Sequence, residues 1–426
     1  MQRKIWLASL LAMLASGGAH AALPSDGYVY CAKLGETCVM TGTHDVELVG
    51  DGDSSILRTV TGNFPCTNAY FDNAAEPYAN ATCWVGPVPS TTPPPTTPGE
   101  QFPTQPVPAD QIGYANIAIT SLITGNFSGS TVVVKTFNEL KAAAANTASG
   151  APVFIHVSGT IRGTGVINVA RFKHIRGLPG SALDGFGLAV HGTSLAYNDT
   201  AACDDVAYNY NNTRNVVLQN LTIKNASGVA ISVTCGGHHV WIDHNTIIKP
   251  RLAAIAITRG ADYVTASWNR IVDAEKALLV GHENSARQTT QSKGRMHLSY
   301  HHNWHDGVTL THSLTYYGTV HAYNNYLQGT ATSYFLGVAN DANIHAEANS
   351  GVSVGAACKA FEGASRSHVT YKSDNIVRDK NGKLLECKVT NDGLATKPPY
   401  SGYPISLPEN VPAVVKQGAG AGKVVF

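Results

Sequence analysis

The sequence has few charged residues and no long apolar segment beyond its N-terminus. Charged residues make up 14% of the chain, against about 25% in typical soluble proteins. Removing Arg3 and Lys4 with the first 21 residues leaves 28 basic against 29 acidic residues, a net charge of −1. This balance attracts neither nucleic acid nor a polyanion overall, so an acidic ligand must be held by a local group of cations. No later segment has the roughly 18 apolar residues of a membrane-spanning helix, so we expect no membrane partner.

Residues 1–21 have the features of a secretory signal peptide. A basic start is followed by an almost wholly apolar run from Ile5 to Ala15 and then by Ala19-His-Ala21. A basic start, a short apolar core and an Ala-x-Ala site are typical of export signals. The run is too short to span a bilayer. We therefore expect a secreted, extracellular protein.

The sequence contains no Cys-x-x-Cys pair, so a zinc site is not expected. Its eight cysteines all follow the export signal, and an even number in an oxidising compartment favours disulfides. They are Cys31, Cys38, Cys66, Cys83, Cys203, Cys235, Cys358 and Cys387. The first four allow three pairings, of which Cys31–Cys38 with Cys66–Cys83 is the simplest.

A proline-rich spacer divides the mature chain. Residues 85–110 contain a Pro/Thr-rich run, and proline at this density favours extended, solvated conformations. The preceding residues, 22–84, are too few for a large core and predict a small disulfide-stapled β module. This module either binds carbohydrate or a wall polymer, or has a purely structural role. Residues 111–426 form the main domain.

The main domain is built from an internal repeat. Its template places an aliphatic residue five positions before an asparagine, as in Val240-Trp-Ile-Asp-His-Asn245. The asparagines are Asn220, Asn245, Asn269, Asn303, Asn325 and Asn349, at spacings of 25, 24, 34, 22 and 24. This period with short β-like segments indicates a stacked solenoid. We predict an all-β fold, a right-handed parallel β-helix, with the asparagines from Asn245 to Asn349 stacked near one corner. An Ala-rich helix over Phe137 to Ala148 is expected to cap its N-terminal end.

Five motifs in order carry a family resemblance. They are Val240-Trp-Ile-Asp-His244, Ile257-Thr-Arg-Gly-Ala-Asp-Tyr-Val-Thr-Ala-Ser-Trp268, Glu275-Lys-Ala-Leu-Leu-Val-Gly281, Tyr300-His-His-Asn303 and Gly318-Thr-Val-His-Ala-Tyr-Asn-Asn325. From about Gly113 to Phe426 the chain resembles family 1 polysaccharide lyases, the pectate lyase and pectin lyase superfamily. The resemblance implies a pectate-lyase-like β-helix that cleaves polygalacturonate by β-elimination.

The residues that perform this chemistry in the family are largely replaced. The family's catalytic base is an arginine that opens an Arg-x-Pro-x-x-Arg motif. Aligned without a gap, the two arginine positions are Thr311 and Tyr316, and the proline position is Ser313. Leu252 and Ala256 fall where the family supplies two calcium-binding carboxylates. Calcium needs several oxygen ligands, so we expect no metal site and no cofactor.

Five residues remain as site candidates. Lys276 stands at the family's substrate-carboxylate lysine, and Arg251 lies beside a lost carboxylate, where a cation can replace the metal; both are candidate catalytic residues. His302, from a histidine-rich stretch, is expected to line the substrate groove with Thr311 and Tyr316.

Two functions stay open from the sequence. One is a lyase with a relocated base that acts on an acidic plant or wall polysaccharide, pectate, pectin or a related uronan. The other is a non-catalytic carbohydrate-binding β-helix that lost the arginine and calcium sites. Both imply an acidic polysaccharide partner, no nucleic-acid partner and a monomer.

Overall fold

The computed structural model describes residues 29–49, 55–71, 80–85, 112–116, 129–145, 152–192, 213–281, 290–390 and 392–424. The predicted signal peptide and nearly all of the predicted linker lie outside these ranges. The chain divides into two compact units, Met1–Gln101 and Phe102–Phe426. Within the described ranges, no helix is both long enough and apolar enough to cross a membrane.

The N-terminal unit is a small antiparallel β module. Its sheet has the order Val29–Lys33, Thr82–Val85, Thr43–Val49 and Ser55–Thr61, and Thr37–Cys38 pairs with Phe64–Pro65. Disulfides join Cys31 to Cys38 and Cys66 to Cys83, which confirms the predicted pairing. The second of these bonds lies in a core of buried apolar side chains. Because so short a segment buries little apolar surface, the two disulfides stabilise it in place of a larger core.

The larger unit is a right-handed parallel β-helix, as predicted. Sheet A has ten parallel strands in chain order: Ser130–Val134, Val153–Val157, Lys173–Gly177, Arg214–Gln219, His238–Asp243, Asp262–Ser267, His297–His301, Thr319–Tyr323, Asn343–Glu347 and His368–Tyr371. Sheet B consists of short strands: Thr222–Lys224, Thr246–Ile248, Arg270–Val272, Trp304–Asp306, Tyr326–Gln328, Ser350–Val352 and Ile376–Val377. Sheet C comprises Val229–Thr234, Ala253–Ile257, Leu278–Val280, Thr311–Tyr316, Tyr334–Ala339 and Ala356–Ala360. Thr160–Asn168 pairs with the long strand Ala182–His191, which joins sheets B and C.

The aliphatic position of the repeat builds the core. Its side chains stack in register along sheet A and are buried: Val216, Val240, Val264, Leu298, Val320, Ile344 and Val369. Helix α1, Phe137–Ala145, begins after Thr136, whose hydroxyl accepts from the Glu139 amide while the Glu139 carboxylate accepts from the Thr136 amide. This reciprocal pair is a capping box. Leu140 and Ala144 bury against the core, so the expected N-terminal cap is present. Helix α2, Val411–Gly418, packs against sheet B.

The asparagine ladder forms one corner of the helix. Each amide nitrogen donates to the side-chain oxygen of the next asparagine at 2.8–3.1 Å, from Asn245 through Asn269, Asn303, Asn325 and Asn349 to Asn375. The predicted stacking is confirmed. Asn220 is not part of the ladder, because Leu221 occupies the ladder position and donates its backbone N–H to Asn245. Asn220 instead has a φ of 57°, in the left-handed conformation that asparagine adopts more readily than most residues.

Candidate functional site

The outer face of sheet C brings Lys276 and Thr311 together. They pair directly as a parallel bridge, and Thr311 pairs in turn with Tyr334. Neighbouring strands lie about 4.8 Å apart, so these three side chains form one row across the sheet. Tyr316 lies five residues beyond Thr311 on the same strand, in register with Ala339. The resemblance predicted the first two neighbours; the structure adds Tyr334.

Lys276 is held by its sequence neighbour. Its ammonium group forms an ion pair with the Glu275 carboxylate, and the side chains are 32% and 55% exposed. An exposed ion pair of this kind contributes at most about 1 kcal/mol. Lys276 therefore remains able to exchange Glu275 for a carboxylate of a ligand.

Thr311 is buried against the side chain of Tyr334. Its side chain is 1% exposed, and its hydroxyl lies 2.8 Å from the Tyr334 hydroxyl. Tyr334 is likewise buried, and its ring packs beside Phe361 at a centroid distance of 5.5 Å. A Cβ atom at Gly337 would approach the Tyr334 ring to 2.7 Å, so glycine at this position makes room for the ring. Tyr334 thus occupies the space beside Thr311.

Both tyrosines of this face are protonated at neutral pH. Burial, followed by the charge of Glu362, raises the pKa of Tyr316 above its usual value. Burial also raises the pKa of Tyr334, although the hydrogen bond with Thr311 lowers it in part. A phenol whose pKa exceeds the usual value of about 10 carries its proton at pH 7. Neither side chain is a phenolate base there. The half-buried Tyr316 can donate a hydrogen bond to a sugar, whereas the buried Tyr334 hydroxyl is paired with Thr311.

Arg251 lies on an adjacent turn with an exposed side chain, just before Ala253–Ile257. That strand neighbours the one that follows Lys276, because Ile255 pairs with Leu278. Arg251 is thus placed at the same end of these strands as Lys276.

The residues that the resemblance aligns with the calcium positions do not fit a calcium ion. Leu252 is 51% exposed and Ala256 is buried on sheet C, and neither side chain has an oxygen atom. The nearby Glu275 carboxylate is bound to Lys276. Because calcium takes six to eight oxygen ligands, mostly anionic, no catalytic step is assigned to this metal.

His302 does not join this face, which corrects the prediction that it lines the groove. It lies at the corner between sheets A and B with a φ of 54°, and its ring stacks on Trp268 at 4.3 Å. Only 2% of it is exposed. Burial, together with the charge of His244, lowers its pKa to about 3. The alternation of faces along a strand fails at such a left-handed corner residue, which packs against the neighbouring turn.

The other histidines of the rich stretch also lie elsewhere. His305 and His312 are buried, with their Nδ1 atoms 2.9 Å apart, and Tyr300 of the core contacts His305. His301 and His321 belong to sheet A, where His301 stacks on Tyr323 at 4.6 Å. These side chains contribute to packing and are not part of the Lys276 face.

Three potential metal ligands meet on sheet A. Ligand atoms of His321, His345 and Glu347 lie within 4.8 Å of one another. The Glu347 oxygens, however, already accept bonds from the Lys372 ammonium and the Tyr403 hydroxyl, each at 2.6 Å. His321 also contacts Tyr400 at 2.8 Å. The cluster is therefore a charge-compensated network. Its hydrogen bonds join the segment that contains Tyr400 and Tyr403 to sheet A.

The sequence reasoning missed Tyr334, Phe361 and Lys359, which complete the Lys276 face. The repeat period was the available signal for the first of them, since Tyr334 follows Thr311 by 23 residues. Lys359 and Phe361 occupy the next turn, where Gly337 pairs with Lys359 and the Phe361 amide donates to Val338.

Comparison with known proteins gives one family. The sequence model of the pectate lyase family matches residues 102–424. Pectate lyase A of Dickeya chrysanthemi is 26% identical over 260 residues, which cover 50% of this chain and 63% of that protein. Pectate trisaccharide-lyase of Bacillus licheniformis is 26% identical over 334 residues, covering 73% of this chain and 86% of that protein.

The fold is also found among solved structures. A pectate lyase from a Bacillus species, solved in complex with trigalacturonate, has a TM-score of 0.58 to this chain at 20% identity. The similarity covers 74% of this chain and 99% of that one. At this identity the likeness concerns the parallel β-helix.

Proposed function

Because the chain belongs to the pectate lyase family, we propose that it is an exported monomer that binds an acidic polysaccharide, pectate or a related uronan. The binding surface is the outer face of sheet C. The observation that carries this proposal is the direct pairing of Lys276 with Thr311. The pairing supports the proposal because the resemblance aligns Lys276 with the family's substrate-carboxylate lysine and Thr311 with its first arginine.

Lys276 supplies the recognition of a uronate carboxylate. An ammonium group is a compact charge with three donors. Here it is partly exposed, and among the described residues one carboxylate, that of Glu275, engages it. Tyr316, half-buried on the same face, can donate a hydrogen bond from its protonated hydroxyl. Arg251 adds charge from the adjacent turn. These groups bind a uronan without a metal ion.

We propose that calcium-dependent cleavage at this face is weak or absent. β-Elimination requires neutralisation of the uronate carboxylate and a base that reaches the C5 proton. At the base position the side chain is Thr311, an alcohol whose hydroxyl is buried against Tyr334. A buried alcohol of this kind neither accepts the proton at neutral pH nor carries positive charge.

An active lyase is the second candidate, and the placement of Arg251 favours it. An arginine on the turn beside Lys276 offers the cation that calcium would otherwise supply, and pectin lyases, the calcium-independent relatives, use cations near that place. In this case Arg251→Ala abolishes product formation, whereas for a binding protein it only lowers affinity.

The proposal is tested by measuring the affinity of the purified protein for polygalacturonate in the presence of EDTA. We expect binding, and a loss of about three- to tenfold in Lys276→Ala, because one exposed charge contact is removed. Lys380→Ala, which removes an exposed lysine outside sheet C, should bind like the unmodified protein. Absence of binding, or equal losses in both variants, would overturn the proposal.

A further inference from the structure

Lys359 is an exposed cation on the same outer face as Lys276. It is in register with Gly337, which pairs with Leu314 and through it with Leu279, so the four positions form one row across sheet C. Within the described part of the chain no carboxylate forms an ion pair with Lys359, in contrast to Lys276.

Two aromatic rings hold the Lys359 side chain in place. Its Nζ atom lies 5.3 Å from the centroids of both Tyr334 and Phe361. A cation at this distance from a ring is attracted to the ring face. Gly337 allows the rings to approach, because a Cβ atom there would lie 2.7 Å from Tyr334 and 3.2 Å from Phe361. The rings reduce the freedom that this lysine would lose on binding an anion.

The two lysines are too far apart for one sugar unit. Three strand steps separate them, from Leu278–Val280 through Thr311–Tyr316 and Tyr334–Ala339 to Ala356–Ala360. At a strand spacing of about 4.8 Å these steps amount to about 14 Å. The row of Lys276 ends at Ala356, and Lys359 lies three residues further along that strand. This offset adds about 10 Å along the strands, so the two positions are about 17 Å apart. Only a chain of several linked sugars spans this distance.

We propose that Lys359 is a second carboxylate-binding residue, so that the preferred ligand is a uronan chain long enough to contact Lys276 and Lys359 together. The inference rests on the proposed function of the same face. Tyr334 and Phe361 act as positioning residues for Lys359. The face then selects for chain length as well as for negative charge.

The test compares hexagalacturonate with digalacturonate by isothermal titration calorimetry, in EDTA. Lys359→Ala should weaken binding of the hexamer about three- to tenfold and leave the dimer within about twofold, whereas Lys276→Ala should weaken both. Lys359→Arg, which keeps the charge, should retain most of the affinity for the hexamer.

Lys416→Ala is the matched control. Lys416 also lies over two rings, at 5.9 Å from Trp304 and 5.1 Å from Tyr326, but on the side of sheet B. Its loss should leave both affinities unchanged. Unaltered hexamer binding in Lys359→Ala, with Lys276→Ala impaired, would overturn this inference alone. Failure of the unmodified protein to bind the hexamer would overturn the proposed function and this inference with it.

Discussion

Thr311 and Tyr334 are register partners on adjacent strands of sheet C, and their hydroxyl groups lie 2.8 Å apart in a buried hydrogen bond. A buried hydroxyl is costly unless it is paired, so each residue satisfies the other. The pair also fills the space beside Lys276. Arginine at position 311 would need that space, so the two residues are coupled.

A double-mutant cycle tests this coupling. Thr311→Arg should destabilise the protein by about 1–3 kcal/mol, because a larger side chain is forced into a filled site. Tyr334→Ser removes the ring and provides room. We therefore expect the double variant to lose less unfolding free energy than the sum of the single variants, by about 1 kcal/mol or more. Denaturant unfolding of the four proteins measures this, and strict additivity would show that Tyr334 does not fill the arginine's place.

Release of Lys276 from its internal partner should strengthen polymer binding. Glu275→Gln removes the carboxylate that occupies the ammonium group, and we expect polygalacturonate affinity to rise about two- to fivefold. Glu409→Gln, an exposed change just before helix α2, removes the same charge away from sheet C and serves as the control. Weaker binding in Glu275→Gln would mean that Glu275 orients Lys276 for the ligand.

The sequence was sufficient to predict the solenoid because its repeat is a direct physical requirement. Each turn must bury an aliphatic side chain and satisfy the backbone at the same corner, so Val240 and Asn245 recur together. The template did not predict the two ends of the asparagine ladder, where the spacing or the residue type of the turn differs from the repeat. Asn375 joins the ladder but lies six residues after Val369, and at the other end Leu221 replaces asparagine.

The site was less predictable, because its members come from separate turns. Alignment identified Lys276 and Thr311, which the sheet pairs directly. It gave no sign of Lys359, whose importance depends on the rings of Tyr334 and Phe361. His302 was misplaced because its corner conformation turns it away from sheet C toward Trp268.

Removal of one asparagine from the ladder should be strongly destabilising. Asn303 accepts from the Asn269 backbone amide and donates to the Ala266 carbonyl, each at 2.9 Å in a buried environment. Asn303→Ala leaves both backbone groups without this partner, at about 1–3 kcal/mol each. We expect the free energy of unfolding, measured with denaturant, to fall by about 2–5 kcal/mol. Asn381→Ala, an exposed change, should stay within about 0.5 kcal/mol, and a similarly small loss in Asn303→Ala would contradict the structural role of the ladder.

Stability should decline as the pH falls below about 6.5. Burial lowers the pKa of both His302 and His312 to about 3, so between these values the unfolded chain binds protons that the folded protein excludes. In that window each histidine lowers the free energy of unfolding by about 1.4 kcal/mol for each pH unit that the pH falls.

Glu347 acts at lower pH. Burial alone would raise the pKa of Glu347, but hydrogen bonds from His321, His345, Lys372 and Tyr403 lower it. The ionised Glu347 therefore stabilises the folded protein above the ordinary carboxylate pKa of about 4.3, and this stabilisation is lost as the pH falls below that value.

His302→Asn separates the histidine effect from general acid unfolding. Asparagine accepts the left-handed conformation but does not titrate. The slope of unfolding free energy against pH between pH 7 and 5 should be shallower in this variant than in the unmodified protein. Parallel slopes would show that His302 is protonated in the folded state.

The prediction that Thr311 and Tyr316 replace the family's two arginines is tested most directly by the ultraviolet absorbance of unsaturated uronate products. Purified protein is incubated with polygalacturonate, with calcium and with EDTA. Loss of one well-placed electrostatic group commonly costs about 100- to 1,000-fold in rate. We therefore predict product release near the background rate in both conditions. Rapid, calcium-stimulated release by the unmodified protein would contradict the assignment of Thr311 to the position of the base.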